Sequence, residues 1–163
     1  MFLGVPMSGK KMVAGGMFLF CVALLVASLP QRAASRGGQE TVPEQVPAYH
    51  AESPKSAIPA TLSPTLFDNV VVQNAYLLAA RVKKLLYQQP CYCHCDRSQG
   101  HGSLLDCFAG KHAAECQVCI REGFYTYEQS RKGKTAAQIR DGIESGEWRQ
   151  VDVSKYAAPI SAK

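Results

Sequence analysis

Six cysteines fall within 29 residues of this chain: Cys91, Cys93, Cys95, Cys107, Cys116 and Cys119. His94, His101 and His112 lie in the same stretch. The fold must bring these sulfurs to each other, to a metal or to a redox partner, because a reactive thiol is seldom left without a role. This density constrains the architecture more than any other feature, and it marks the candidate site.

The triplet and the downstream residues are spaced differently. Cys91, Cys93 and Cys95 alternate with Tyr92 and His94. Read as an extended segment, the triplet puts its three thiols on one face and Tyr92 and His94 on the other. Neighbouring Cα atoms would then stand roughly 6.5–7 Å apart, at or beyond the disulfide limit. The triplet is thus better arranged to offer several sulfurs to one partner, or to bond cysteines elsewhere. His112, Cys116 and Cys119 follow i, i+4, i+7 spacing, which puts them on one face of a helix. Cys107 and His101 lie between the two halves. Thiolate-rich donor sets select Cu(I), Zn(II) or iron–sulfur centres. The candidate ligands are Cys91, Cys93, Cys95, Cys107, His112, Cys116 and Cys119. His101, flanked by Gly100 and Gly102, is expected to face solvent, and His94 to point away from the thiols, so these two are weaker candidates. The spacing matches no standard zinc-finger pattern and lacks the string of c-type haem attachment. Three readings stay open: a soft-metal site holding Cu(I) or Zn(II), a thiol–disulfide redox protein, or a module stapled by disulfides.

Compartment bears on that choice. Residues 12–29 read MVAGGMFLFCVALLVASL, carry no charge and follow Lys10 and Lys11. This is the pattern of a secretory signal or a single membrane anchor, with Pro30 ending the run. Val26 and Ser28 offer small side chains for cleavage after Ser28. Cys21 sits inside the run behind Phe20, the wrong setting for lipidation. The expected location is extracytoplasmic, in the periplasm or at the cell surface, where disulfides are permitted. If uncleaved, residues 1–30 tie the chain to a membrane. Net charge is +5, and 16 Lys and Arg against 13 Asp and Glu remain after residue 30. That excess is too small and too scattered for nucleic acid. The partner classes left are a redox or a metal-delivery protein. No hydrolase constellation, nucleotide site or phosphate loop is present. The chain reads as a non-enzyme or, failing that, as a thiol-based oxidoreductase.

The organisation follows from turn and cap signals. Residues 31–63, with proline every few residues, form an expected flexible tether in which His50 is solvated. Residues 64–156 form a mostly α, three-helix domain with a Cys-rich loop, and residues 157–163 an expected frayed end. The first helix opens at Ser63-Pro64, or as late as Asp68-Asn69 with Asp68 as cap, and runs toward Tyr87. Its apolar stripe is interrupted by Asn74 and Arg81. Pro90 ends it. A second helix spans about 112–131 and Gly133 stops it. Thr135-Ala-Ala-Gln138 is a capping box for a third, with Ala137, Ile139 and Ile143 facing inward and Gly146 at its end. Trp148 and Tyr156 are expected to fold back onto the helices.

Pro90-Cys91-Tyr92-Cys93-His94-Cys95 resembles the signature of the bacterial PCYCGC-motif proteins, also described as the CYCXC family of proteins and selenoproteins. The likeness continues through Gly100-His101, Leu105-Asp106-Cys107-Phe108, Cys116-x-x-Cys119, Ile139-Arg140 and Ile143, covering about residues 65–148. It implies a secreted or membrane-associated protein, often lipidated, with no assigned biochemical role. Selenocysteine in some members implies redox or metal work rather than inert staples. His94 stands where the family has glycine, which puts a special backbone angle in question and adds a candidate ligand.

Overall fold

The computed structural model describes residues 45–161. The expected signal or anchor segment and residues 31–44 of the expected tether lie outside them. Among the described residues the regular structure is all helical, with no strand and no helix long and apolar enough to cross a membrane.

Each of the three expected helices is found, and two are broken. Ser63 starts only a 3-10 turn, Pro64–Leu66, its hydroxyl accepting from Thr65 N–H. Helix α1, Val70–Arg81, is capped by Asn69 rather than Asp68, with Oδ1 accepting from Val71 and Val72 N–H at 2.9 and 3.2 Å. The helix stops at Val82, whose φ of −121° and ψ of 23° leave helical space. It resumes as α2, Lys83–Leu86. The Cys-rich loop carries α3, Cys95–Gln99, and, where the sequence leads one to expect a short turn at Leu104–Phe108, α4, Leu104–Ala109. The second expected helix is divided at Cys116 into α5, His112–Glu115, and α6, Gln117–Arg131. Helix α7, Ala136–Glu144, opens on the expected capping box: Thr135 Oγ1 accepts from Gln138 N–H and Gln138 Oε1 from Thr135 N–H. Gly133 and Gly146 follow α6 and α7 with φ of 78° and 81°, a left-handed turn that glycine adopts without strain.

The core forms where α1 crosses α6, with α4 and α7 against them. Tyr76, Leu78, Phe108, Ile120, Phe124, Ile139 and Ile143 are fully buried, each burial stabilising by about 1.5–3 kcal/mol. Tyr76 meets Phe108 edge-on at 5.2 Å and donates its hydroxyl to Gly110 O at 2.7 Å. Phe108 lies directly over Gly123 of α6, so close that a Cβ there would stand 2.6 Å from its Cζ. Trp148 is buried, and Tyr156 stacks on Phe124 at 3.7 Å, as expected from their place in the sequence.

Two segments outside the helices are seated on them. Residues 45–63, the second part of the expected tether, run without helix along the domain. Leu62 N–H donates to Phe108 O at 2.9 Å, His50 stacks on Tyr87 at 3.8 Å, and Arg140 lies 4.5 Å over the Tyr49 ring. His50 is exposed but not simply solvated. At the other end Asn74 donates to Tyr156 O and Ala158 O at 2.8 Å and accepts from Ile160 N–H at 3.3 Å. Arg81 donates to Ser161 O at 2.8 Å. The two polar interruptions of the α1 stripe therefore hold residues 157–161, which are tied down rather than frayed.

Candidate metal centre

The triplet is a turn, not the expected extended segment. His94 N–H donates to Cys91 O at 3.1 Å, closing a four-residue reversal. His94 itself takes φ 57° and ψ 34°, and α3 starts at the next residue. This is a left-handed backbone that costs most non-glycine residues about 1 kcal/mol or more. The special angle implied by the family's glycine is kept here by a histidine, one of the residue types that tolerate it. The reversal folds the sulfurs toward one another, and Cys91 and Cys93 Sγ stand 3.3 Å apart.

The downstream donors arrive by a different route from the expected single helical face. At Cys116 the chain turns to φ −123° and ψ 109°, ending α5 and acting as N-cap of α6. Its carbonyl already accepts from Ile120 N–H at 3.1 Å. The break does not scatter the donors. Cys93, His112, Cys116 and Cys119 each offer a ligand atom within 4.8 Å of the others. Cys93 Sγ is 3.4 Å from His112 Nε2 and 3.7 Å from Cys119 Sγ. The Gln99 amide lies 2.7 Å from His112 Nδ1 and so turns Nε2 toward the sulfurs.

The remaining donors lie behind this set. Cys95 and Cys107, from α3 and α4, stand 3.3 Å apart, and His101 Nδ1 is 3.4 Å from Cys107 Sγ. Cys95, His101 and Cys107 form a second group, and Cys91 falls into two more, one with Cys93 and Cys95 and one with Cys107 and Cys119. His101 is thus half-buried against a thiol rather than turned to solvent. His94 lies in none of the four groups. Cys91, Cys95, Cys107 and Cys119 are buried, while Cys93, Cys116, His101 and His112 are partly exposed along one edge. All six cysteines are free. Their closest sulfur contacts, 3.3–3.4 Å, are well beyond a disulfide bond of about 2.05 Å. The cluster can therefore hold a metal ion.

The electrostatics are those of sulfurs competing for charge. Hydrogen bonds from Cys107, Cys116, Cys119 and Cys91 hold the Cys93 thiol well below its usual range. Cys119 is pushed up, by Cys107 first and then by Cys116, Cys91 and Cys93. Cys91 is also raised, chiefly by Cys107.

Glu122, which the sequence reading did not single out, and Asp106 hold the site together. Glu122 is fully buried, and its Oε1 accepts from Tyr92 N–H at 2.9 Å, pinning the cysteine turn to α6. Burial raises its carboxyl to about 8, against the lowering effect of Tyr92 N–H and Cys91. Glu122 lies one helical turn after Cys119, and that i, i+3 spacing is the signal that would have found it. Asp106 Oδ2 accepts from Gly102 N–H at 2.7 Å and fixes the loop carrying His101. Pro47 and Ala48 lie beside Cys91, Cys95 and His101, with Ala48 N–H donating to Asp96 Oδ2 at 3.3 Å.

No curated protein and no solved structure matches the chain. Residues 26–160 match the family model described as a protein of unknown function with PCYCGC motif. The chain belongs to this family.

Proposed function

We propose that this member of the PCYCGC-motif family binds a soft metal ion, Cu(I) or Zn(II), through clustered thiolates in an extracytoplasmic setting. The observation that carries the reading is the convergence of Cys93, His112, Cys116 and Cys119 within 4.8 Å. Three sulfurs and one imidazole are a familiar closed donor set for Zn(II), and the same sulfur-rich set suits Cu(I). The spacing fits as well. A tetrahedral ion with Zn–S of about 2.3 Å and Zn–N of about 2.0–2.1 Å separates two sulfurs by about 3.8 Å and a sulfur from a nitrogen by about 3.6 Å. The matching separations here are 3.7 and 3.4 Å. Because Cys93, Cys116 and His112 are partly exposed, an ion can enter and leave along that edge, as delivery to or from a protein partner requires.

The extracytoplasmic placement is supported by the uncharged run at 12–29 behind two lysines. It also gives the metal a protective role. Six thiols in mutual contact would oxidise in that compartment unless an ion engaged them. Left uncleaved, the run would anchor the domain to a membrane. On this reading the partner is a metal-delivery protein rather than nucleic acid.

A second reading, thiol–disulfide exchange, is favoured by the Cys91–Cys93 and Cys95–Cys107 contacts at 3.3 Å. Either pair could close to a disulfide by passing two electrons to an oxidised disulfide partner, which leaves as a dithiol with the two protons. Metal analysis of protein purified without chelator, with a thiol count before and after reduction, separates the readings. Stoichiometric metal and chelator-released thiols are expected. Substoichiometric metal with six oxidised cysteines would overturn the metal reading. In that case a reduction potential well below about −300 mV would identify inert staples rather than a redox pair.

A further inference from the structure

We infer that the cluster is a two-ion centre, with a second, inner site formed by Cys91, Cys95, Cys107 and His101 and with Cys91 as the thiolate bridging the two ions. This rests on the soft-metal reading above and extends it to sulfurs that one ion leaves unused.

A single tetrahedral ion takes four donors. In the outer set those are Cys93, His112, Cys116 and Cys119. Four more soft donors remain within the same cluster, and they are not dispersed. Cys95 and Cys107 Sγ are 3.3 Å apart, and His101 Nδ1 is 3.4 Å from Cys107 Sγ. Cys91 Sγ lies within 4.8 Å of both Cys95 and Cys107. The inner donors come from the reversal at 91–94, α3, the following loop and α4, whereas the outer donors come from the same reversal, α5, the break at Cys116 and α6. The two sets share only the reversal.

Each imidazole also serves its own set. His112 approaches Cys93 and His101 approaches Cys107, with ring centroids 5.4 Å apart and planes at 84°. Cys91 belongs to both neighbourhoods. It is 3.3 Å from Cys93 and 3.4 Å from Cys119 on the outer side, and is grouped with Cys95 and with Cys107 on the inner side. A thiolate has lone pairs enough for two soft ions, and Cys91 in that position is a natural bridge, completing the inner set of four and adding a fifth donor to the outer ion.

Charge points the same way. Among the described residues no lysine or arginine hydrogen-bonds a cluster sulfur; the side-chain contacts at these sulfurs include other sulfurs and the two imidazoles, and the buried carboxyl beside Cys91, Glu122, is not a cation either. Cys91, Cys95 and Cys107 are 0–3 % exposed, so water screens them little. Six thiolates around one divalent ion would leave four uncompensated negative charges in this interior, and two divalent ions leave two. The second ion therefore halves the uncompensated charge.

The test uses the reduced full-length chain in detergent and Zn(II) as probe, read by native mass spectrometry against a competing chelator. Two Zn(II) per chain are expected. Cys107→Ser and His101→Ala should each retain one ion tightly and weaken the other by 10-fold or more, and Cys116→Ser should do the same from the opposite side. A wild-type chain that saturates at one ion, held unchanged by Cys107→Ser and His101→Ala, would remove the inner site and leave the single-ion reading intact. A wild-type chain that binds none would remove both. Co(II) loading of the unmutated chain tests the bridge without relying on a variant that folds. The electron paramagnetic resonance signal should rise with the first equivalent and fall with the second as the bridged ions couple, whereas a signal that grows linearly through both equivalents contradicts a shared thiolate.

Discussion

Replacing Glu122 with glutamine isolates the most unusual charge in the fold. The side chain is fully buried beneath the cysteine turn, and its Oε1 accepts from Tyr92 N–H. Burial lifts the carboxyl from 4.5 to about 8, with the Tyr92 N–H and Cys91 pulling it down and Cys93 pushing it up. Between those two pH values the folded chain keeps a proton that the unfolded chain has released. Stability contributed by this group is thus fully present below about pH 4.5, declines as pH rises, and is lost once pH passes about 8. At about 1.36 kcal/mol per pH unit the full span corresponds to about 5 kcal/mol. A glutamine in its place would still accept from Tyr92 N–H and would not titrate. Urea denaturation of chelator-treated, reduced wild type and Glu122→Gln should therefore give curves that diverge between pH 5 and 8, the variant gaining several kcal/mol relative to wild type toward alkaline pH. A difference that stays constant from pH 5 to 8 would refute the reasoning and place an ionised carboxylate under the cluster.

Four other substitutions follow from single contacts. Gln99→Ala removes the amide that orients His112 and should weaken metal binding 10–100-fold by chelator competition while leaving far-UV circular dichroism unchanged. Gly123→Ala would ordinarily favour a helix by about 1 kcal/mol. Here its Cβ meets the buried Phe108 ring at 2.6 and 3.1 Å, and over-packing should turn the change into a net loss of about 1–2 kcal/mol in denaturant titrations, partly recovered by adding Phe108→Leu. Asn74→Ala deletes three hydrogen bonds to the C-terminal segment and should cost about 2–3 kcal/mol, with hydrogen exchange rising at residues 157–161 before it rises in α1. His94→Gly relaxes a left-handed backbone while loosening the unfolded chain, so stability should shift by less than about 1 kcal/mol and metal stoichiometry should not change.

Much of the helical layout was readable because local signals agreed with the fold. The Thr135–Gln138 capping box, the glycines at 133 and 146 and the Ile139/Ile143 face all act within a few residues, and the structure uses each of them. The breaks at Val82 and Cys116 were not readable, because no proline or glycine marks them. Tertiary packing overrides propensity there. The same limit applied to the site. The density of Cys91–Cys119 located it, but an extended triplet and a continuous helix were the natural local readings, and both were wrong in form. His94 reverses the chain, and Cys116 caps α6 instead of continuing a helix. His101 read as solvent-facing because glycines flank it, whereas Asp106 anchors its loop from the next helix. Asn74 and Arg81 looked like flaws in a stripe because their partners lie some 80 residues downstream.

The central claim is that sulfur from this cluster holds a soft metal. Zinc and copper K-edge X-ray absorption on the full-length chain, purified under reducing conditions without chelator, tests it most directly. The account predicts a first shell dominated by sulfur at about 2.3 Å, with imidazole nitrogen at about 2.0–2.1 Å when the ion is zinc. A shell of oxygen and nitrogen without sulfur, on a chain whose six cluster cysteines remain alkylatable, would contradict it.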